Sequence, residues 1–339
     1  MLFVLDIYFV FRGVSFIIPT DMIDMEEKGH LRVGLIGIGY FGKHHGRIVS
    51  ELDEAELAAV CDADLSRAEE AAQRYNCQAC ASVEEALPLA DAFIIATPTQ
   101  THSAIAMKCL RADKHVFVEK PITGGVDEAD QLIDEANKRG LTLQVGHVER
   151  YNAGLRNLCA LLRSPAYIET QRLSPLIERA AGIDVTLDMM IHDIDVVLSI
   201  SDSPVKSINA AGASVLTSHI DTAKAWIEFE SGLKAFLYAG RLSNYKLRTL
   251  KVSQRDEQLS LDYQSGMITK YIKNGSAIKT IPLDKPPVAE PLKEELRSFI
   301  ESVLTGKKPM VSGECGREAL SLALNIGTII RESVSSVMI

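Results

Sequence analysis

Arg32-Val33-Gly34-Leu35-Ile36-Gly37-Ile38-Gly39-Tyr40-Phe41-Gly42 is the stretch on which the fold turns. Its first five residues read as a short buried strand, and a helical pattern starts after Gly42. Between strand and helix stands Gly-x-Gly-x-x-Gly, and in that context the spacing has a mechanism. Gly37 permits a tight turn, Gly39 lets the backbone come close to a pyrophosphate, and Gly42 allows the helix to pack on the strand. The helix N-terminus adds free N–H groups and a partial positive charge. Ile38, Tyr40 and Phe41 fill the loop and join the three glycines as candidate dinucleotide-binding residues. The next apolar strand, Leu57-Ala58-Ala59-Val60-Cys61, runs into Asp62, 20 residues after Gly42. A carboxylate there accepts hydrogen bonds from the adenosine ribose and repels a 2′-phosphate, so NAD is expected in preference to NADP. Arg67, close by, pulls the other way.

Outward from this loop, short apolar runs alternate with helical stretches. Strands are predicted near residues 77–81, 92–96, 115–118 and 141–145, and helices over 64–75, 102–111 and 127–139. Continuous apolar strands separated by helices predict a doubly wound parallel sheet covered on both faces, an α/β Rossmann-type domain over residues 31–150. After Arg150 the texture changes. A helix over about 186–200 is followed by closely spaced strand-like runs from Val205 to Ile281, with Ser231-Gly232 and Asn274-Gly275 as turn signals. Amphipathic helices are predicted over 291–304 and 318–332. Residues 151–339 therefore read as an α+β domain with a large, mostly antiparallel open sheet.

A chain of 339 residues fits two such domains. The net charge of −9, without basic clusters, argues against nucleic acid as a partner. Of the six cysteines only Cys77 and Cys80 form a CxxC, with no second pair or histidines at ligand spacing, so no metal is expected. The cysteines read as free thiols of a reducing cytosol. Residues 1–30 stand apart. The first eighteen are apolar and aromatic but interrupted by Asp6 and Arg12, which makes a poor signal peptide and a poor membrane span. Met25-Glu26-Glu27-Lys28 reads as an ordinary cytosolic start. The preceding residues are expected to be a start-site artefact, with a weak membrane anchor as the alternative. The expected setting is cytoplasmic, with no membrane partner.

In an open parallel sheet the chemistry gathers beyond the carboxyl ends of the strands. The fourth strand ends in Ala96-Thr97-Pro98 with His102 beyond, the fifth in Glu119-Lys120-Pro121, and the sixth in Gly146-His147-Val148-Glu149-Arg150-Tyr151-Asn152. Pro121 keeps Lys120 extended. An ammonium there can orient a substrate hydroxyl, or take its proton if desolvated. Asp188 and His192 are four residues apart on the predicted helix, with Asp195 three further on, and share one polar stripe. A carboxylate beside an imidazole suits removal of a hydroxyl proton while hydride leaves for a nicotinamide. A solvated helix face is the plainer reading of the same stripe.

These motifs together resemble the Gfo/Idh/MocA oxidoreductases, over a stretch from Val33 to near the C-terminus. The resemblance rests on the glycine loop, Ala96-Thr97-Pro98 with His102, Glu119-Lys120-Pro121, Asp188-x-x-x-His192, Pro291-Leu292-x-x-Glu295 to Phe299, and Lys308-Pro309. It implies a Rossmann domain followed by an open-sheet domain that builds oligomer contacts, here a homodimer or homotetramer. It implies Lys120, Asp188 and His192 as the catalytic set, with Lys120 or His192 moving the proton. It also implies Thr97, Pro98, His102, Glu119 and Lys120 at the cofactor. Within the family, the segments 146–152 and 187–195 are similar to those of nucleotide-sugar dehydrogenases. That implies oxidation of the 3-hydroxyl of UDP-N-acetylglucosamine, with Arg150, Asn152, Arg241 and Arg248 as candidates for the substrate beside the catalytic set. Three other functions share much of this pattern: a dehydrogenase of a free sugar, sugar acid or inositol; a redox-neutral NAD-dependent glycosidase; and a non-catalytic dinucleotide sensor.

Overall fold

The strand in front of the glycine loop, Leu31–Ile36 (β3), lies at the middle of a six-stranded sheet. The computed structural model describes residues 9–11, 14–16, 30–178, 181–283 and 289–335. Residues 1–30 and 31–339 are separate units. In the first, Phe9–Phe11 (β1) and Val14–Phe16 (β2) pair antiparallel. The start-site expectation falls mainly on residues outside the described ones.

The six-stranded sheet adds Ala55–Cys61 (β4), Gln78–Cys80 (β5), Ala92–Ile95 (β6), His115–Glu119 (β7) and Leu143–Gly146 (β8). Its order is β5-β4-β3-β6-β7-β8, and every pair is parallel. Strands β3, β6 and β7 are almost wholly buried, which is why they read as unbroken apolar runs. The helices between them are Tyr40–Val49 (α1), Leu65–Tyr75 (α2), Val83–Ala86 (α3), Thr99–Arg111 (α4) and Val126–Arg139 (α5). Asp64 caps α2 by accepting from Ser66 N, and Gly140, with φ of 66°, closes α5. The strand order reverses between β3 and β6, so a crevice opens at the carboxyl end of β3 where the glycine loop lies.

The second sheet has eight strands: Pro165–Leu173 (β9), Val205–Ala213 (β10), Thr222–Phe229 (β11), Lys234–Gly240 (β12), Leu247–Gln254 (β13), Glu257–Asp262 (β14), Met267–Asn274 (β15) and Ala277–Pro282 (β16). Two meanders, β10-β11-β12 and β13-β14-β15-β16, flank β9. All pairs are antiparallel except β12 with β9. Ala153–Ala160 (α6) precedes this sheet in the chain, and Ile191–Ser201 (α7) and Gly313–Ser335 (α9) cover one face. Alternate residues Ala223, Ala225, Ile227 and Phe229 of β11 point into that core, against Ile191, Ile194 and Ile326.

The two sheets fall on either side of Arg150, but the end of the chain crosses back. Leu296, Phe299 and Ile300 of Pro291–Thr305 (α8) are buried in the same cluster as β3 and β4. Phe299 meets Phe117 of β7 edge-on at 5.7 Å between ring centroids. Each such side chain contributes about 1.5–3 kcal/mol of burial. Val311 and Leu320 pack likewise beside β8 and α5. The nucleotide-binding layer is therefore completed by residues far from it in sequence. Among the described residues no helix is long and apolar enough to cross a membrane.

Candidate active site

The glycine loop has the geometry its spacing predicts. Gly37 has φ of 95°, and a Cβ there would lie 2.7 Å from the Ala96 carbonyl oxygen. A Cβ on Gly42 would lie 1.9 Å from the Gly37 oxygen, so only glycine lets α1 come this close to the turn. At Gly39 nothing stands within 4 Å. Gly39 is also the N-cap of α1, with no side-chain cap and no acidic residue in the first turn. Open space in front of free helix N–H groups fits a dinucleotide pyrophosphate.

Asp62 stands at the tip of β4 as expected, and it also shapes the loop. Its Oδ2 accepts from Ile38 N at 2.6 Å and its Oδ1 from Asp64 N at 2.9 Å. Arg67, the residue that favoured NADP, reaches Asp64 at 3.3 Å instead.

A cleft of about 600 Å³ runs from this end of the sheet to the π-turn, Thr186–Met190, that leads into α7. One wall is Thr97, Pro98, Glu119 and Lys120, at the ends of β6 and β7; Asp188 and Leu187 stand opposite. A wider groove of about 840 Å³ between β10 and α9 holds none of the candidate side chains. Lys120 donates from Nζ to the Asp188 carbonyl oxygen at 2.6 Å and to Asp188 Oδ1 at 3.2 Å. An ammonium has three donors, so one remains for a substrate oxygen. His102 is buried and bridges two loops, Nε2 to the Thr97 carbonyl and Nδ1 to the Pro121 carbonyl, each at 2.9 Å. It braces the cofactor wall from behind. Glu119 is bonded to the buried His45 at 2.8 Å. Burial opposes its charge, but the His45 contact and Lys120 hold its pKa below the usual range.

The helix carrying Asp188 and His192 is not uniform. Thr186–Met190 forms a π-helical turn that leads into α7, a widening that often marks functional sites. Asp188 lies on that turn and His192 just after it, outside the cleft lining but near enough for Lys120 to act on its charge. Burial first, then Lys120 and Arg172, pushes the His192 pKa well below normal, so the ring is neutral at pH 7. Its Nδ1 is enclosed and without a partner. The polar stripe is not a solvated face: Asp195 is 2% exposed, and the Asp188 side chain, 31% exposed, opens on the cleft.

Several expected substrate residues have other work. Arg150 pairs with Asp195 at 3.4 Å. The Asn152 side chain accepts from Gly154 N and Leu155 N and so caps α6. Arg241 is 2% exposed, held by Asp221 at 2.8 Å and by the carbonyls of Ile183 and Ile220. These three side chains are engaged within the protein. Arg248 differs: it lies exposed on β13 and its charge is felt at His192.

Sequence reasoning missed three features. Arg172 on β9 forms a bidentate pair with Asp193 at 2.9 and 3.0 Å and a bond to Glu149 at 2.9 Å, a buried ionic knot under the site. Glu295 is wholly buried; its signal was a charge on an apolar helix face, four residues before Phe299. Ile177, Gly182, Ile183, Asp184 and His219 also line the cleft, from loops without any motif. All six cysteines are free, and among the described residues no group of side chains could hold a metal.

Comparison with known proteins agrees with this geometry. A family model described as an oxidoreductase family with an NAD-binding Rossmann fold matches residues 31–147, and a GFO/IDH/MocA C-terminal domain model matches residues 163–264. The UDP-N-acetylglucosamine 3-dehydrogenase of Acidithiobacillus ferrooxidans is 32% identical over 88% of this chain and 96% of its own. Its solved structure superimposes with a TM-score of 0.84, at 31% identity, over 89% of this chain and 98% of that one. The myo-inositol 2-dehydrogenase of Thermotoga maritima is 27% identical over 86% of this chain and 94% of its own.

Proposed function

The chain belongs to the Gfo/Idh/MocA oxidoreductase family, and from that premise we propose that it oxidises a sugar hydroxyl to a ketone, with UDP-N-acetylglucosamine and its 3-hydroxyl as the preferred substrate. The observation that carries this reading is the contact of Lys120 with Asp188 inside the cleft between the glycine-loop domain and the second sheet.

Gly37–Gly42 and Asp62 would hold NAD, which would supply the hydride acceptor when bound. Thr97, Pro98 and Glu119 line the cleft wall that continues from this loop and would face the cofactor's reactive end. Lys120 uses its remaining N–H to hold the substrate oxygen, while Asp188 fixes the ammonium. His192, neutral and adjacent, takes the hydroxyl proton as hydride leaves the same carbon. Arg248 is the arginine left for the diphosphate of a nucleotide sugar, since the other expected arginines are engaged inside the protein.

The substrate choice follows the 32% identical relative and its 96% coverage. The inositol dehydrogenase relative keeps a free cyclitol or sugar as the second reading. NADH absorbance with a panel of UDP-sugars, free sugars and inositols separates them. Turnover of inositol but not of UDP-N-acetylglucosamine would reverse the choice. We further infer a homodimer or homotetramer in the cytoplasm. Six free cysteines suit a reducing compartment, and the partly exposed Trp226 beside Tyr167, 5.8 Å apart, offers an aromatic patch on the open sheet. Sedimentation of the purified protein tests the assembly.

A further inference from the structure

Behind Lys120 and His192, buried polar atoms without partners gather in one region. They are both ring nitrogens of His147, Nδ1 of His192, Oδ2 of Asp195 and both carboxylate oxygens of Glu295. The residues come from separate elements: the turn after β8, α7 and α8. Yet they are neighbours. The His147 and His192 rings stand edge to face at 6.5 Å. Arg150 acts on His147 and bonds Asp195. The Asp195 carboxylate acts on Glu295. Gln144 Nε2 donates to the Glu295 carbonyl and to the Tyr151 hydroxyl, each at 3.2 Å, while Gln144 Oε1 is also bare.

So many bare polar atoms in one place are unusual in a folded protein, and enclosed water is the ordinary solution. We propose that His147, Asp195 and Glu295 wall a water-filled chamber that receives the substrate's hydroxyl proton from His192 and passes it to solvent on the Arg150 side.

The inference rests on the dehydrogenase reading above. In that reaction the C–H pair leaves as hydride to NAD and the O–H proton goes to His192, giving a ketone and one proton still to be discharged. A dinucleotide and a sugar bound together in the cleft of about 600 Å³ would obstruct the direct route. The chamber offers another. Lys120, Arg150 and His192 face His147. Arg150 from the turn and Glu295 from α8 face Asp195. The charged groups facing Glu295 are all acids: Glu119 of β7, Asp195 of α7 and Glu149 of the turn. Burial pushes Asp195 up to about 7 against the pull of Arg150, and holds Glu295 well above the carboxylate range. Asp195 can therefore exchange a proton near neutral pH, and burial favours the protonated form of Glu295. Arg150, with its side chain 18% exposed, marks the outlet.

The test follows hydride and proton separately. The NAD-loaded protein is mixed with UDP-N-acetylglucosamine in a stopped-flow instrument, with NADH absorbance and a pH-indicator dye recorded together. In the wild type the two signals should coincide. In Asp195→Asn and in Glu295→Gln, NADH of the first turnover should form at the wild-type rate while the dye signal lags about tenfold, less than the roughly 100-fold minimum for a group that takes the proton directly. Coincident signals in both variants would overturn the proposal. If the wild type makes no NADH with any sugar, the dehydrogenase reading has failed instead. The chamber is then judged by a high-resolution crystal structure. Ordered waters bonded to His147, Asp195 and Glu295 support it, and a dry, repacked region overturns it.

Discussion

Lys120, at the end of β7, holds Asp188 on the π-turn before α7 by two contacts, 2.6 Å to its carbonyl oxygen and 3.2 Å to its carboxylate. One residue belongs to the nucleotide-binding sheet and the other to the cover of the second sheet. The contact therefore holds both the ammonium and the spacing of the β7 end from the π-turn. Lys120→Ala is expected to cut kcat by about 10²–10⁴ while NAD binding, measured by calorimetry, stays within about twofold. Lys120→Arg should not restore turnover, because a planar guanidinium cannot reproduce the two contacts. Turnover near wild type in either variant would remove Lys120 from the mechanism.

Asp62 serves the loop as well as the cofactor, since it anchors Ile38 N at 2.6 Å. Asp62→Ala should weaken NAD by about 1.5–3 kcal/mol, the worth of hydrogen bonds to a charged group. NADP should become nearly as good a ligand as NAD, but not a tight one, because the loop has lost its anchor. Titration with both dinucleotides checks this; unchanged discrimination would place the specificity elsewhere.

Two glycines of the loop separate folding from binding. Gly39→Ala adds a methyl where nothing lies within 4 Å, so its melting temperature should match the wild type while NAD affinity falls. Gly42→Ala places its methyl 1.9 Å from the Gly37 oxygen and should lose about 1–3 kcal/mol of stability. Thermal unfolding without NAD, beside a binding titration, shows whether the two effects divide in this way.

Acid should act on the protein through His147. Burial, then Lys120 and Arg150, pushes its pKa from 6.5 to about 3. Between those values the unfolded chain binds a proton that the native protein refuses, so stability falls as pH falls through this window. Above about pH 7 the residue contributes no pH dependence. His147→Gln removes the term. The difference in unfolding free energy between variant and wild type should be flat above pH 7 and change by about 1.4 kcal/mol per pH unit between about pH 6 and 4. Parallel curves across that range would mean that native His147 takes up protons as freely as the unfolded chain does.

Much of this was legible before any coordinates. The parallel sheet announced itself because β3, β6 and β7 are buried on both faces and so are written as apolar runs. The glycine loop was legible because each glycine answers a separate steric demand. Lys120 and Asp188 stood out as polar residues at places where the fold collects chemistry. The substrate arginines were harder. Arg150 and Arg241 look like ligands in sequence, but their partners Asp195 and Asp221 lie 45 and 20 residues away. Only the folded chain shows that those charges are already matched. Arg172, which no motif marks, meets Asp193 across β9 and α7 for the same reason. The burial of Glu295, a residue quoted only for the resemblance, was hidden by distance, because nothing in a linear reading says that α8 returns to the first sheet.

That return of α8 has a consequence for how the protein is made. The last strand of the nucleotide-binding sheet ends at Gly146, but Leu296, Phe299 and Ile300, which complete its core, emerge 150 to 154 residues later. At roughly 5–20 residues per second the interval is roughly 7–30 s. During it the face of β3 and β4 meant for α8 is bare, and it must be tolerated by a holding chaperone or a loosely formed sheet. A nascent chain halted before Pro291 should therefore be open to protease at β3 and β4, and one released after α8 should be closed. The order of synthesis and the order of completion run in opposite directions along this chain.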